Sequence, residues 1–326
     1  MTIAEWLANT YPILERAGIS STREEIFLWF SRVAERDRSY FAARLTQDMD
    51  TVFSESQITR LEEILIRRLE REPLAYILGS ADFWKSRFHV GQGVLIPRSD
   101  SEVLVEAALG LSGIADFPWG QRTSEPEDRS QFRLQKADQT RIFDLCTGSG
   151  CLGITVSEEF MRKGLPVRTI LTDISGDALF YARKNIDESP ARDWIALCRC
   201  DLYPDWAPIS SFWGDLKADL LIANPPYINR DEMRDLMPEV ARFEPSLALQ
   251  GGDDGLLFYR RILQGGSDFL RNGGWVVFEH GYNQEESIYL LLREYGYTHI
   301  LCLRDYGGRP RVTLARHDRK HKLGEE

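Results

Sequence analysis

Residues Arg141 to Val156 read as strand, small-residue loop and helix, an order that commits the surrounding chain to a parallel α/β sheet. The strand is Arg141-Ile142-Phe143-Asp144-Leu145, the loop is Cys146-Thr147-Gly148-Ser149-Gly150, and Cys151 to Val156 open the helix. Glycines at 148 and 150 let the chain turn tightly and let a ligand come close to the backbone. A second strand, Val167 to Leu171, leads into Thr172-Asp173, where a carboxylate can accept hydrogen bonds from ribose hydroxyls. Gly148-x-Gly150-x-x-Gly153 with Asp173 downstream also matches a dinucleotide fingerprint. Asp144 counts against a nicotinamide dinucleotide: its charge would oppose a pyrophosphate but would hold an ammonium-bearing ligand.

A later strand, Ala218 to Ala223, stops abruptly in Asn224-Pro225-Pro226-Tyr227. Neither proline carries an N–H, so ladder and helix both end there while the carbonyls stay free as acceptors. The Asn224 side chain adds an acceptor oxygen and Tyr227 a flat face. Converging acceptors beneath a ring suit a planar group bearing an NH2, such as an amide or an exocyclic base amine. A strand closed by a Pro-rich turn would account for the tetrapeptide alone. The glycine loop supplies the second half of a site. As the fourth strand, across the sheet from that loop, it would open on the same pocket beyond the carboxyl ends.

The pairing resembles the class I S-adenosylmethionine-dependent methyltransferases. That resemblance implies S-adenosyl-L-methionine as cofactor and S-adenosyl-L-homocysteine as product. Asp144, Cys146, Thr147, Gly148, Ser149 and Gly150 would hold the methionine part and Asp173 the ribose. Asp201 and Leu202, after a third strand at Ala196 to Cys200, would lie near the adenine, and Asn224 would border the cofactor. Further segments narrow the family: Glu72 to Gly79, Phe83-Trp84, Val94 to Glu102, Arg242-Phe243-Glu244-Pro245, Gly251 to Leu256, Glu279-His280-Gly281 and Arg304 to Leu314. Together they look like the PrmC/HemK family of peptide-chain release factor glutamine methyltransferases, from about residue 57 to 316.

What this resemblance implies is methyl transfer to the side-chain amide nitrogen, N5, of the glutamine in the Gly-Gly-Gln loop of class I release factors, modulating translation termination. Asn224, Pro225, Pro226 and Tyr227 would bind that glutamine and carry the chemistry. The implied architecture is a seven-stranded, Rossmann-like methyltransferase domain behind a small α-helical domain and a linking β-hairpin. Two departures stand out. Arg98-Ser99-Asp100-Ser101-Glu102 replaces the commoner Arg-Pro-Asp-Thr-Glu, and Cys146 replaces a common glycine, which requires a negative φ there. Alternatives are a ribosomal-protein glutamine methyltransferase, a nucleic-acid adenine-N6 methyltransferase, and a non-catalytic binder that keeps the fold.

With 326 residues, two domains are expected. The expected divisions are a helical substrate-recognition domain at 1–72, a hairpin linker at 73–99, a methyltransferase domain at 100–316 and a charged tail at 317–326. A formal charge of −10 disfavours a protein that tracks bare nucleic acid. Arg67, Arg68 and Arg71 are the densest basic run before residue 300 and read as a solvated helix face. With no long apolar run and no basic leader, neither a membrane partner nor a signal peptide is expected, and the location is cytoplasmic. The 5 cysteines read as reduced. His317 and His321, four apart, lack companion ligands, so no metal is expected.

Thr2-x-x-Glu5, Ser21-x-x-Glu24 and Ser54-x-x-Gln57 are capping-box starts for helices of the first domain. Its aromatics Trp6, Phe27, Trp29 and Phe30 read as core. Residues 82–97 read as a hairpin turning at Gly91-Gln92-Gly93, followed by a helix from about Asp100 to Leu111. Arg98 and Asp100 fit helix-start chemistry as well as a place near the cofactor. The polar stretch 117–140 reads as an extended surface insertion. The loop Gly251 to Gly255 is either a gate or a turn before the next helix, and His280 reads as a buried, hydrogen-bonded histidine.

Overall fold

The computed structural model describes residues 1–19, 23–124, 126, 128–135, 137–205, 212–214 and 217–318, which form two compact units. Ser21, and with it one expected capping box, lies outside the described residues, as does the tail from 319 on.

The first unit comprises Met1–Ser80 together with Met237–Phe243. Its first helix, α1 (Ile3–Arg16), starts at a complete capping box: Glu5 N–H donates to Thr2 Oγ1 at 3.2 Å and Thr2 N–H to Glu5 Oε2 at 2.8 Å. The helix Glu55–Leu69 begins the same way at Ser54 and Gln57. Reciprocal caps of this kind satisfy N–H groups that a helix start otherwise leaves open. Trp6, Phe27, Trp29 and Phe30 are all core, with Trp29 and Phe30 fully buried.

The arginine run is not a solvated face. Arg68 falls on the same helix stripe as Leu61 and Ile64 and is 5% exposed. Its guanidinium donates to Glu25 at 3.1 Å and to the Glu72 carbonyl at 2.7 Å. Arg71, in a left-handed conformation at φ 70°, donates to the Ala17 carbonyl and pairs with Glu239 at 2.6 Å. These cations are consumed in joining segments of their own unit.

The second unit comprises Ala81–Leu236 and Glu244–Glu326. Its strands are β3 (Thr140–Leu145), β4 (Val167–Asp173), β5 (Ile195–Arg199), β6 (Ala218–Ala223), β7 (Leu270–Glu279), β8 (Tyr297–Arg304) and β9 (Pro310–His317). They form one seven-stranded sheet in the order β5-β4-β3-β6-β7-β9-β8, parallel except at β9, which runs antiparallel to both neighbours. One face packs on the helices Glu102–Leu111 and Cys151–Arg162, the other on Leu257–Phe269 and Glu285–Glu294. Strands buried on both faces read as near-continuous apolar runs, and β6 is buried at all six residues, apolar except at Asp219.

The hairpin is shorter and earlier than expected. β1 (Ser80–Phe83) pairs with β2 (Ser86–His89) and turns at Trp84-Lys85. Trp84 takes φ 55°, its N–H donating to Glu102 at 2.8 Å and its Nε1 to Glu159 at 2.7 Å. Gly91 and Gly93 serve close approach instead. A Cβ on Gly91 would overlap the Tyr181 hydroxyl, and one on Gly93 would sit 2.7 Å from Asp177 Cβ.

The stretch 117–140 also differs from a bare surface insertion. Phe132 is 3% exposed, with its ring 5.9 Å from Phe117, 5.6 Å from Trp119 and 5.3 Å from Trp275. Thr123 N–H donates to the Cys302 carbonyl at 2.9 Å, which covers part of the outer edge of β8. Phe132→Ala should therefore cost about 3 kcal/mol or more, by analogy with other buried Phe→Ala changes. Urea denaturation would check this; a loss under about 1 kcal/mol would mean that the segment is not packed on the core.

Candidate active site

The sheet order reverses at β3: β4 lies on one side of it and β6 on the other. Asn-Pro-Pro-Tyr is thus beside the glycine loop on the adjacent strand, not across the sheet from it. Such a switch point opens a crevice beyond the carboxyl ends of the strands. Register makes the arrangement specific. Thr172, Leu145, Ala223 and Phe278 are mutual partners along β4, β3, β6 and β7. The next residue on each strand is Asp173, Cys146, Asn224 and Glu279, so four side chains of different chemistry stand in one row at the sheet's edge.

A cavity of about 230 Å³ lies above the first three of them, Asp173, Cys146 and Asn224. Of the expected site residues, Cys146, Thr147, Gly148, Ser149, Asp173, Asp201, Leu202, Asn224 and Pro226 line it. Asp144, Gly150, Pro225 and Tyr227 stand behind the lining.

Asp144 is fully buried. Its Oδ2 accepts from the Thr147 hydroxyl and from Gly153 N–H at 2.9 Å, while Oδ1 has no partner among the described residues. Burial pushes its carboxyl up to about 7, against the pull of those two donors. Asp173 accepts from Gly148 N–H and Ser175 N–H, both at 2.9 Å, which ties the glycine loop to the end of β4. Burial nevertheless raises its pKa. A Cβ on Gly148 would meet nothing nearer than Val94 at 3.9 Å, so its absence leaves room at the backbone.

Cys146 does not have the negative φ expected of it. It takes φ 56°, and Leu202, at the end of β5, takes φ 68°. Left-handed backbone at non-glycine residues costs on the order of 1–3 kcal/mol each and concentrates at functional sites. Both residues line the cavity. Burial and the carboxylates of Asp173, Asp144 and Asp201 push the Cys146 thiol well above its ordinary value, so it is no nucleophile. Asp201 is paired with Arg261 at 2.8 Å.

On the other side, Asn224 lies half-buried with no side-chain hydrogen bond among the described residues. The Gly251 to Gly255 loop clamps the backbone that follows it. Gly251 N–H donates to the Ile228 carbonyl at 2.8 Å, and Ile228 N–H donates to Leu249 O at 2.9 Å. A Cβ at Gly251 would fall 2.7 Å from Tyr227 Cα and 2.8 Å from the Pro226 carbonyl oxygen. Gln284 donates to the Tyr227 carbonyl at 3.1 Å. Burial and nearby Glu279 push the Tyr227 phenol up to about 12, so it stays neutral.

Arg98 pairs with the buried Glu244, whose other oxygen accepts Ile96 N–H at 3.2 Å, pinning a loop that lines the cavity. Arg98 therefore does more than start a helix. His280 is fully buried, its Nδ1 donating to the Gly281 carbonyl and its Nε2 accepting from the Thr313 hydroxyl, both at 2.8 Å. Burial lowers its pKa to about 4, which makes it a neutral structural group. Reasoning from sequence missed Gln284, which donates to the Tyr227 carbonyl, and gave no separate role to Ser101 or Glu279, although both fall in segments that carry the family resemblance.

The PrmC N-terminal domain family matches residues 5–79. Over 319 residues the chain is 31% identical to the release factor glutamine methyltransferase of Vibrio cholerae serotype O1, covering 97% of each protein. It is 29% identical over 316 residues to the Clostridium botulinum protein of the same name, covering 97% of this chain and 99% of that one. Among solved structures, the hMettl16 catalytic domain in complex with MAT2A 3′UTR hairpin 6 has the same fold. Its TM-score is 0.50 at 15% identity, covering 81% of this chain and 82% of that one. With a methyltransferase fold and about 30% identity to these relatives over nearly the full length of both proteins, the chain belongs to the release factor glutamine methyltransferase family.

Proposed function

We propose that the protein transfers a methyl group from S-adenosyl-L-methionine to the side-chain amide nitrogen of the glutamine in the Gly-Gly-Gln loop of class I peptide-chain release factors. The observation that carries this reading is the single cavity lined by both the glycine loop with Asp173 and the strand end at Asn224. The cofactor, when bound, supplies an electrophilic methyl group.

The residues present fit such a cofactor. Asp144 offers a buried oxygen without a partner among the described residues, Asp173 stands at the end of β4 where it would meet a ribose, and Asp201 and Leu202 line the same cavity where they would meet a base. The substrate's amide nitrogen is a poor nucleophile because its lone pair is delocalised into the C=O. With one N–H accepted by the Asn224 oxygen and one by the Pro225 carbonyl, the nitrogen is held with a face towards the methyl group. Charge developing on it is then met by dipoles already in place. Pro226 and Tyr227 hold those acceptors still, and no base is needed before the transfer.

A carboxyl near 7 that receives an ammonium group must ionise, so cofactor binding should release a proton close to neutrality. Affinity should then fall about tenfold per pH unit below about 7. Calorimetry in buffers of different ionisation enthalpy would detect the released proton, and Asp144→Asn should abolish the pH dependence. No proton release and a flat affinity would remove Asp144 from the cofactor site.

Substrate choice is tested by offering labelled cofactor with a release factor, a ribosomal protein preparation or adenine-containing DNA. Label on the release factor is expected. Label only on ribosomal protein or DNA would overturn the substrate assignment while leaving the chemistry on nitrogen intact.

A further inference from the structure

The row Asp173, Cys146, Asn224, Glu279 holds a member with no role so far. Glu279 ends β7 one strand over from Asn224, is 2% exposed, and has an Oε2 without a partner among the described residues. A buried acid left half-satisfied one layer behind a reaction cavity calls for an explanation. Ser101, itself 2% exposed, lines the cavity, and its hydroxyl lies beside the Glu279 carboxyl, where it favours the ionised form. Around the same carboxyl stand Arg98 and Asp100 on the turn before the helix Glu102–Leu111, Arg311 on β9 and Tyr227 after β6. Cys151 at the start of its helix and Tyr259 also face it, the Tyr259 hydroxyl donating to the Glu279 carbonyl at 2.7 Å. Arg311 is itself shared with Asp305 at 3.2 Å and Asp100 at 3.5 Å.

Resting on the amide-methylation reading, we propose that the Ser101 hydroxyl and the Glu279 carboxylate form the exit route for the proton that the amide nitrogen loses on methylation. The balance is as follows. The nitrogen lone pair forms the N–CH3 bond, and the electron pair of the CH3–S bond stays on sulfur. The N-methyl amide is then cationic. One N–H then leaves its acceptor on Asn224 or Pro225 and passes its proton to Ser101 Oγ, whose own proton passes to a Glu279 oxygen. The carboxylic acid so formed returns that proton to solvent before the next turnover, one proton per methyl group. Glu279 is thus a positioning and proton-accepting residue behind Ser101, and Ser101 is the member that touches substrate. Burial, which holds the Glu279 carboxyl near 7, makes it an acceptor matched to neutral pH.

The test is the pH profile of kcat at saturating cofactor, where the titration of Asp144 no longer contributes. Full-length wild-type protein with an intact release factor should show an acidic limb with a midpoint near 7. Glu279→Gln should abolish that limb and lower the plateau by about 10–10²-fold, with cofactor affinity by calorimetry unchanged. Should Glu279→Gln fold poorly, Ser101→Ala should still slow transfer by a similar factor, and Ser101→Thr, which keeps the hydroxyl, should recover most of it. A limb that persists in Glu279→Gln, or a Ser101→Ala protein as fast as wild type, overturns the proton route. Failure of wild type to methylate the release factor at any pH would instead overturn the underlying reading.

Discussion

Asn224→Ala is expected to lower kcat by about 10²–10³-fold while leaving the affinity for S-adenosyl-L-methionine within a few-fold of wild type. The asymmetry follows from position. Asn224 stands beside Cys146 in the row at the sheet's edge, but the contacts proposed for the cofactor lie on the glycine loop, Asp144, Asp173 and the end of β5. Among the described residues the Asn224 side chain has no hydrogen-bond partner, so its oxygen is available for an incoming N–H. Losing that acceptor costs most when charge has developed on the substrate nitrogen, which is in the transition state. Single-turnover rates and cofactor calorimetry on the same variant give both quantities. Equal losses in the two would place Asn224 in the cofactor site rather than at the reacting amide.

Gly251→Ala should be the second severe change, with kcat down by about 10–10²-fold and a smaller effect on cofactor binding. An added methyl group would meet Tyr227 Cα at 2.7 Å, the Pro226 oxygen at 2.8 Å and the Tyr227 carbonyl carbon at 2.8 Å. All three are backbone atoms, so no rotamer can relieve the contact. The Pro-Pro-Tyr segment would have to shift, and displacement of a positioning group by about 1 Å can cost about 10²-fold. Gly251 has no positive φ to defend, which separates this effect from backbone strain. Steady-state kinetics with a melting curve would check it. A variant with wild-type kcat would show that the loop does not hold the acceptors in place.

The parts of the site that were legible in sequence are those written in residues with few backbone choices. Gly148 and Gly150, at φ 57° and 83°, and the paired prolines at 225 and 226 mark strand ends whatever surrounds them. Cys146 and Leu202 adopt the left-handed region without a residue that favours it, so tertiary packing rather than local preference sets their backbone, and sequence offered no sign. The hairpin was misplaced for the converse reason. Gly91 and Gly93 look like a turn, but their small size serves packing on Tyr181 and Asp177, while a tryptophan makes the turn. Arg68 and Phe132 show the same limit: a charged residue on an apolar stripe and a lone aromatic in a polar stretch are buried by partners remote in sequence. Glu279 enters the site only through strand order, which periodicity along the chain does not encode.

The most direct test of the central claim is peptide mapping by tandem mass spectrometry of an intact release factor after incubation with this protein and S-adenosyl-L-methionine, beside a release factor whose loop glutamine is changed to alanine. The account predicts one added methyl group on the side-chain amide of that glutamine and none on the altered protein. Methylation at another residue, or equal methylation of both release factors, would contradict it.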